Sequence, residues 1–434
     1  MLSRHHQVAL VAPDHDRVLV VPTDDGPRLP RLDNRWPGHR DLVAAVGDPT
    51  ALLAGPPARE DDGTVTNVLL GDGTSTLDGA SWHHLDDLGS LGLSTESAGT
   101  VRRTVAERRD GAPADGRAAW FLPGWRDEVA AFVDRVAASD GFERVGEPEA
   151  IRIWSLSAVL RFPVLRAGRP QDLWFKATCD GFHGEPALTA AVCRLEPDLM
   201  PQVVAVDAER AWMLMEPIPH ADDDTHFSHA PDIARALARL QLETLSDTEH
   251  LMAAGAPHRG LDATLEWLHT VVHDSVELPR MAPELRETVV EMEPWLADQL
   301  RELWSLGLPD ALAHGDLHLG NVAWVDGSPL FFDWTDLCVT HPYLDARHLA
   351  DSAHETGGEE ARQAVWAAYV EPWRQAFPDV DHDRAWELVR AAEAVFQAIS
   401  YEQIYRAQPE ASRWELATVV VGIFEALAGV FRAR

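Results

Sequence analysis

Apolar positions recur along the chain with two periods, alternating in the first half and helical in the second. Val8-Ala9-Leu10-Val11 and Val18-Leu19-Val20-Val21 flank Pro13-Asp14-His15-Asp16, a pattern that predicts a β-hairpin with a short loop. Val65 to Leu70, followed by Gly71-Asp72-Gly73, predicts another hairpin. Ser81 to Leu88 reads as a strand running into a short helix. Asp110-Gly111-Ala112-Pro113-Ala114-Asp115-Gly116 is small, polar and breaker-rich, and predicts a linker. After it Trp125, Val129, Phe132, Val133 and Val136 fall at helical spacing, with Arg126, Asp127, Asp134 and Arg135 on the other side.

Residues 145–216 read as strands with one helix among them. Ala150–Trp154, Val159–Leu165 and Leu173–Ala177 are the first three strands, separated by the turns Ser155-Leu156-Ser157 and Arg166–Pro170. Glu185 opens a helix with Pro186 suited to its first turn. Val203–Asp207 and Ala211–Met215 form a hairpin. The polar stretch His220–His226 links it to helical patterns from Pro231, over about 261–273, and over 283–305. A second hairpin, Val322–Val325 and Pro329–Phe332 around Asp326-Gly327, precedes three more helical patterns at about 358–376, 382–405 and 411–432. The class is therefore α+β. Four segments are expected: a small α+β domain over 1–112, a linker and helix over 113–144, a β-rich lobe over 145–218 and a helical lobe over 219–434.

Composition narrows the functions. The chain has 434 residues, 46% of them apolar, which is globular. Its formal charge of −33 argues against nucleic acid as a partner and favours a cationic one. No basic start is joined to an apolar run, and the apolar stretch Thr418–Phe431 is shorter than a membrane span of about 20 residues. Three cysteines without metal spacing fit a reducing cytoplasm. Of 37 basic residues only Lys176 is lysine, and a compact ammonium is what a tight phosphate site needs where a planar guanidinium does not serve. The adjacent pairs His5-His6 and His83-His84 point to opposite faces of a strand, which argues against metal binding there.

The candidate chemistry lies in Ala313-His314-Gly315-Asp316-Leu317-His318-Leu319-Gly320-Asn321, with Asp333 twelve positions after Asn321 at the end of an apolar strand. A His-x-Asp-x4-Asn loop followed by a strand ending in Asp is the set of parts protein kinases use for phosphoryl transfer. With Gly between His and Asp, and Asp-Trp after the strand, it resembles the aminoglycoside phosphotransferase and choline kinase family. The resemblance covers roughly residues 145–434. It implies a bilobal protein-kinase-like fold and transfer of a nucleotide γ-phosphoryl group to a small-molecule hydroxyl. Asp316 would then accept the hydroxyl proton, His314 would brace the loop, and Asn321 and Asp333 would hold Mg²⁺. Lys176, on the third strand of the β-rich lobe, would contact the phosphates, with Glu185 as its partner. Ser155 and Ser157 would cover the phosphates in place of a Gly-rich loop. Met215 and Glu216 would lie at the hinge that reads the base, which leaves ATP and GTP both open. Thr340–Asp345 resembles the family segment whose Asp tethers the catalytic loop, here Asp345, with His341 where the family usually has Asp. Asp336, Tyr401, Glu402, Tyr405 and Trp414 are the candidate acceptor-site residues.

Trp82-x-x-Leu85-Asp86-Asp87-Leu88 is similar to part of a Nudix hydrolase domain, but the Arg-Glu-x-x-Glu-Glu run that ligates Mg²⁺ there is missing, so no hydrolase chemistry is expected of residues 1–112. The expected function is ATP- and Mg²⁺-dependent O-phosphorylation of an amino sugar, sugar or aminoglycoside by a cytoplasmic monomer or homodimer without membrane partners. A choline or amino-acid-like acceptor, or a catalytically silent nucleotide-binding protein, are the alternatives.

Overall fold

A seven-residue run buried from its second position onward starts the first sheet. In the computed structural model, which describes residues 5–33, 37–111, 116–219 and 224–434, this is strand β1 (His5–Val11). Residues 112–115 of the expected linker and 220–223 of the expected acidic link lie outside the described residues. After β1 come β2 (Arg17–Val20), β3 (Arg31–Leu32), α1 (His39–Val46), β4 (Leu52–Leu53), β5 (Ala58–Arg59), β6 (Thr64–Leu70) and β7 (Ser81–His84). The strand order is β4-β6-β1-β2-β7, with β3 on β1 and β5 on β6. The first predicted hairpin is the β1–β2 pair. The second does not form as predicted: β6 lies parallel to β1 from His5↔Thr64 to Val11↔Leu70, and β7 pairs with β2 instead. Parallel pairing needs a long crossover, which the stretch containing α1 supplies. Helix α2 (Thr95–Asp110), capped by the Ser94 side chain, adds Ala98, Val101 and Val105 to the core over Val11, Val18 and Val68.

Helix α3 (Trp125–Ser139) leads into β8 (Phe142–Arg144), β9 (Glu149–Ile153), β10 (Ser157–Arg166) and β11 (Arg169–Thr178). Strand β10 pairs with β11 from Ser157↔Thr178 to Arg166↔Arg169, which sets Lys176 opposite Val159. Trp125 and Phe132 of α3 meet Phe175 of β11 edge-on, at ring separations of 5.9 and 6.3 Å. Arg40 of α1 pairs with Glu149 of β9 at 2.5 Å, and Trp120 donates to the Trp154 carbonyl at 2.9 Å. These contacts draw the N-terminal sheet and the Lys176 sheet together. The chain divides into two compact units, residues 1–179 with 408–415 and residues 180–407 with 416–434.

The second unit holds α4 (Glu185–Leu195), the hairpin β12 (Val203–Asp207) and β13 (Trp212–Met215), then α5 (Ala230–Glu243), α6 (Thr248–Ala253), α7 (Leu261–Asp274) and α8 (Pro283–Ser305). Short strands β14 (Ala311–Ala313), β15 (Val322–Val325), β16 (Ser328–Phe331) and β17 (Cys338–Thr340) follow, then α9 (Tyr343–Ala376), α10 (His382–Ala407) and α11 (Val419–Arg432). Helix α9 begins at Tyr343, fifteen residues before the predicted start, and breaks at Gly358, whose φ of 69° is left-handed. The predicted 411–432 helix is two pieces, because residues 410–416 wind as a 3₁₀ turn, of which 410–415 belong to the first unit. Its apolar face, Val420, Phe424 and Leu427, packs on α8 and α10, so the apolar run is part of the core.

Candidate functional site

Strands β14 and β17 pair antiparallel from Ala311↔Thr340 to Ala313↔Cys338, and all six residues are buried. They close the neck of an excursion, residues 314–337, that carries most of the predicted chemistry. The loop backbone is pinned at its start. Asp345, in the first turn of α9, accepts from the His314 amide at 2.7 Å and the Gly315 amide at 2.9 Å. Burial pushes the Asp345 carboxyl above the usual carboxylate range, against these two amides, which favour its ionised form. Gly315 has a φ of 84°, and a Cβ there would stand against the carbonyl oxygen of Asp336. The glycine between His and Asp is thus required twice over, by backbone hand and by space. His314 braces the far side of the loop, its Nε2 donating to the Phe332 carbonyl at 2.9 Å.

The side chain of Asp316 is held by a residue that sequence reasoning missed. His348, one turn beyond Asp345 on α9, places Nε2 3.3 Å from Asp316 Oδ1 and Nδ1 2.8 Å from Glu393 Oε1. Burial works against charging the imidazole, but hydrogen bonds and charge from Asp316 and Glu393 outweigh it and push its pKa up to about 10. His348 is therefore an imidazolium donating from both nitrogens, one to the loop and one to α10. Gln397, four residues after Glu393, donates to the Gly315 carbonyl at 3.2 Å. Tyr401, four further on, has its phenol pushed up to about 12 by burial and by the charges of Asp316, Asp336 and Glu393. Glu393, Gln397 and Tyr401 form one stripe on α10. Their i, i+4, i+8 spacing was the available signal.

Asn321 and Asp333 sit at the open end of the β15–β16 hairpin, whose register runs from Val322↔Phe331 to Val325↔Ser328. The Phe332 amide donates to the Asn321 carbonyl at 3.0 Å and extends that ladder by one step. Asn321 donates its Nδ2 to the Asp316 carbonyl at 2.9 Å, which leaves the carboxamide oxygen as its remaining group. Asp333 is exposed in a left-handed conformation, φ 65°, and accepts from Thr335 Oγ1 at 3.0 Å. Two hard oxygen donors at one hairpin end fit Mg²⁺, which takes few protein ligands and keeps its waters.

The residues expected around the nucleotide are placed unevenly. Lys176 is buried on β11, 7% exposed, and Glu185 is buried as the first residue of α4. Met215 ends β13 half-buried, and the Glu216 amide donates to the Gln202 carbonyl. Ser155 does not present its groups as expected. Its hydroxyl donates to Glu415 Oε2 at 2.6 Å, its amide approaches the same oxygen at 3.3 Å, and Gln408 donates to its Oγ. Ser157 Oγ accepts from Trp154 Nε1 at 2.8 Å. The Ser-Leu-Ser turn is filled by the chain's own carboxylate, so a hydroxyl cover for phosphates is not what it forms here.

Of the expected acceptor residues, Tyr401 and Asp336 lie by Asp316, and three are elsewhere. Glu402 is fully buried and accepts from Ser275 Oγ, the Val276 amide and Arg406 Nε. Tyr405 is buried beneath the Arg280 guanidinium, which lies 5.7 Å from its ring. Trp414 belongs to the first unit and donates to the Pro57 carbonyl at 3.2 Å. His341 is wholly buried, and burial lowers its pKa to about 3, so the imidazole is neutral where an Asp was expected by resemblance.

A model of the phosphotransferase enzyme family matches residues 161–378, from inside β10 to just past α9. No curated protein sequence gives a match. Among solved structures the chain is similar to a macrolide 2′-phosphotransferase type I, at 14% identity and a TM-score of 0.47 over 67% of this chain and 96% of that one. It is similar to a choline kinase from Streptococcus pneumoniae, at 13% identity and 0.44 over 69% and 99%. A third is an aminoglycoside phosphotransferase from Streptomyces rimosus in complex with ADP and streptomycin, at 21% identity and 0.37 over 61% and 98%.

Proposed function

The chain belongs to the phosphotransferase enzyme family, and from that premise we propose that it uses ATP and Mg²⁺ to phosphorylate a hydroxyl of an amino sugar, a sugar or an aminoglycoside. Membership makes it a small-molecule kinase; the acceptor class and the residue roles are our reading.

Asp316 carries the acid–base role. Its Oδ1 is occupied by the His348 imidazolium, which leaves Oδ2 to receive the acceptor hydroxyl proton as the oxygen attacks. Asp345 fixes the backbone beneath it, and His348 fixes the carboxylate above it. Asn321 and Asp333 would hold the metal, and Lys176 would meet the nucleotide phosphates, with Glu185, Met215 and Glu216 assigned to the same nucleotide. Bound Mg²⁺ supplies charge neutralisation of the transferred phosphoryl group. Asp316, Asp336 and Glu393 give this end of the unit negative charge around Tyr401, which suits an acceptor bearing an amine.

The observation that most supports the reading is the 37%-exposed side chain of Asp316 held from one side by a half-buried cation, an arrangement that points one carboxylate oxygen outward. ATP consumption and phosphoester formation, measured with Mg²⁺ against amino sugars, sugars, aminoglycosides, choline and ethanolamine, test it. Turnover of a sugar-type acceptor that falls to background in Asp316→Asn is the expected result. Turnover of choline alone, or an Asp316→Asn variant as active as the parent, overturns it.

A further inference from the structure

Away from Asp316, two helices converge three metal-binding side chains. His269 and His273 stand four residues apart on α7, which places both on one face. Glu293 of the neighbouring α8 meets them. His269 Nδ1 lies 3.0 Å from Glu293 Oε1, and His273 Nε2 lies 2.8 Å from Oε2. The imidazole rings are 4.5 Å apart, and one donor atom from each of the three residues lies within 4.8 Å of the others. The histidine side chains are 70% and 39% exposed, while Glu293 is 22% exposed and fixed between them.

We propose that His269, His273 and Glu293 form a binding site for a divalent transition-metal ion of the zinc type, bridging α7 and α8. Two imidazole nitrogens and one carboxylate are the donor set that zinc, cobalt and nickel prefer, and that magnesium and calcium do not. Metal–ligand bonds of about 2.0–2.2 Å put adjacent donors roughly 3.0–3.5 Å apart. The two nitrogen–oxygen separations already approach that spacing, so ring rotations and little backbone movement complete the site. On binding, each imidazole offers a lone pair to the ion. Its single proton then rests on the outward nitrogen, Nε2 of His269 and Nδ1 of His273. Solvent supplies the remaining ligands, because both rings are open to it. The carboxylate that now gathers two imidazoles becomes an ion-bridged staple between the helices. The chain's excess of negative charge, −33, favours cation uptake in general. Specificity for this place has to come from the three named ligands.

The test uses the full chain, freed of metal with a chelator, titrated with zinc chloride and followed by calorimetry and thermal unfolding. One saturable site and a raised Tm are expected. His269→Ala and His273→Ala should each weaken binding by about tenfold or more and remove the Tm rise, and Glu293→Gln should weaken it as well. The two histidines are surface residues, so the metal-free variants should unfold near the parent's temperature, and that comparison separates ligand loss from misfolding. Cobalt(II) should give visible absorption bands in the parent that vanish in the double histidine variant. Excess magnesium chloride should not compete. Absence of saturable zinc uptake, or a double variant that binds as tightly as the parent, overturns the proposal. The phosphotransferase reading is untouched either way, since these ligands are not shared with Asp316, Asn321 or Asp333.

Discussion

His348 Nε2 lies 3.3 Å from Asp316 Oδ1, and the same ring's Nδ1 lies 2.8 Å from Glu393 Oε1, so one imidazolium ties the Asp316 carboxylate to a neighbouring helix. His348→Gln keeps a hydrogen-bond donor and loses the charge. With Asp316 no longer held, kcat should fall by roughly 10- to 100-fold while KM for ATP changes little. Steady-state kinetics with both substrates measures the split. A KM-only effect would show that the contact does not set the geometry of the base.

The same contact makes a pH statement. The folded-state pKa of His348 is raised from 6.5 to about 10. Its stabilising contribution is therefore fully present below 6.5, shrinks as the pH rises above that, and is gone above about 10. The Tm difference between parent and His348→Gln should be largest near pH 6 and close at the alkaline end. Thermal unfolding in a buffer series reads it, and a difference that stays constant over the range would contradict the pairing.

Gly315→Ala sets a left-handed backbone and a close approach against one methyl group. The strain alone costs about 1–2 kcal/mol for an L residue at positive φ. Collision with the Asp336 carbonyl then has to displace the loop. Both Tm and activity should drop. Gly307→Ala is the matched control, with a φ of 93° and open space around its Cβ position. It should lower Tm slightly and leave kcat intact. Equal activity loss in the two variants would remove the argument from space.

Ser155→Ala tests the turn that Glu415 fills. If the hydroxyl serves that carboxylate, its loss should cost about 1–3 kcal/mol of stability through a buried acceptor left short of a partner, with KM for ATP unchanged. Denaturant unfolding and nucleotide kinetics distinguish this from direct phosphate binding, which would raise KM.

What could be read from the sequence was local. The His314–Asn321 loop and its hairpin are specified by alternation, by an Asp-Gly turn and by fixed offsets, all within about twenty residues. Helix α8 matched its predicted limits, because a long amphipathic period is hard to mistake. The misplacements have a common origin in facing. Tyr401 and Glu402 are neighbours in sequence but stand about 100° apart around a helix, so one reaches the acidic cluster and the other is spent on Ser275 and Arg406. Period shows which residues share a face, not which neighbour that face meets. His348 left no signal of its own, since its meaning depends on where Asp316 arrives from thirty residues upstream. The parallel β1–β6 pairing was hidden for the same reason, because a pattern of buried positions does not name the partner strand.

Asp345, His348 and Ser352 follow one another at i, i+3 and i+7 along the first half of α9. They touch, in order, the amides of His314 and Gly315, the carboxylate of Asp316 and the amide of Leu319. The helix works as a ruler laid against the loop, with the chemistry marked off in its register. Adding one residue between Tyr343 and Ser352 would turn the later marks by about 100° and misalign the scale. The break at Gly358 ends the ruler, and beyond it the helix answers to a different constraint, the core packing of Val365, Tyr369 and Trp373.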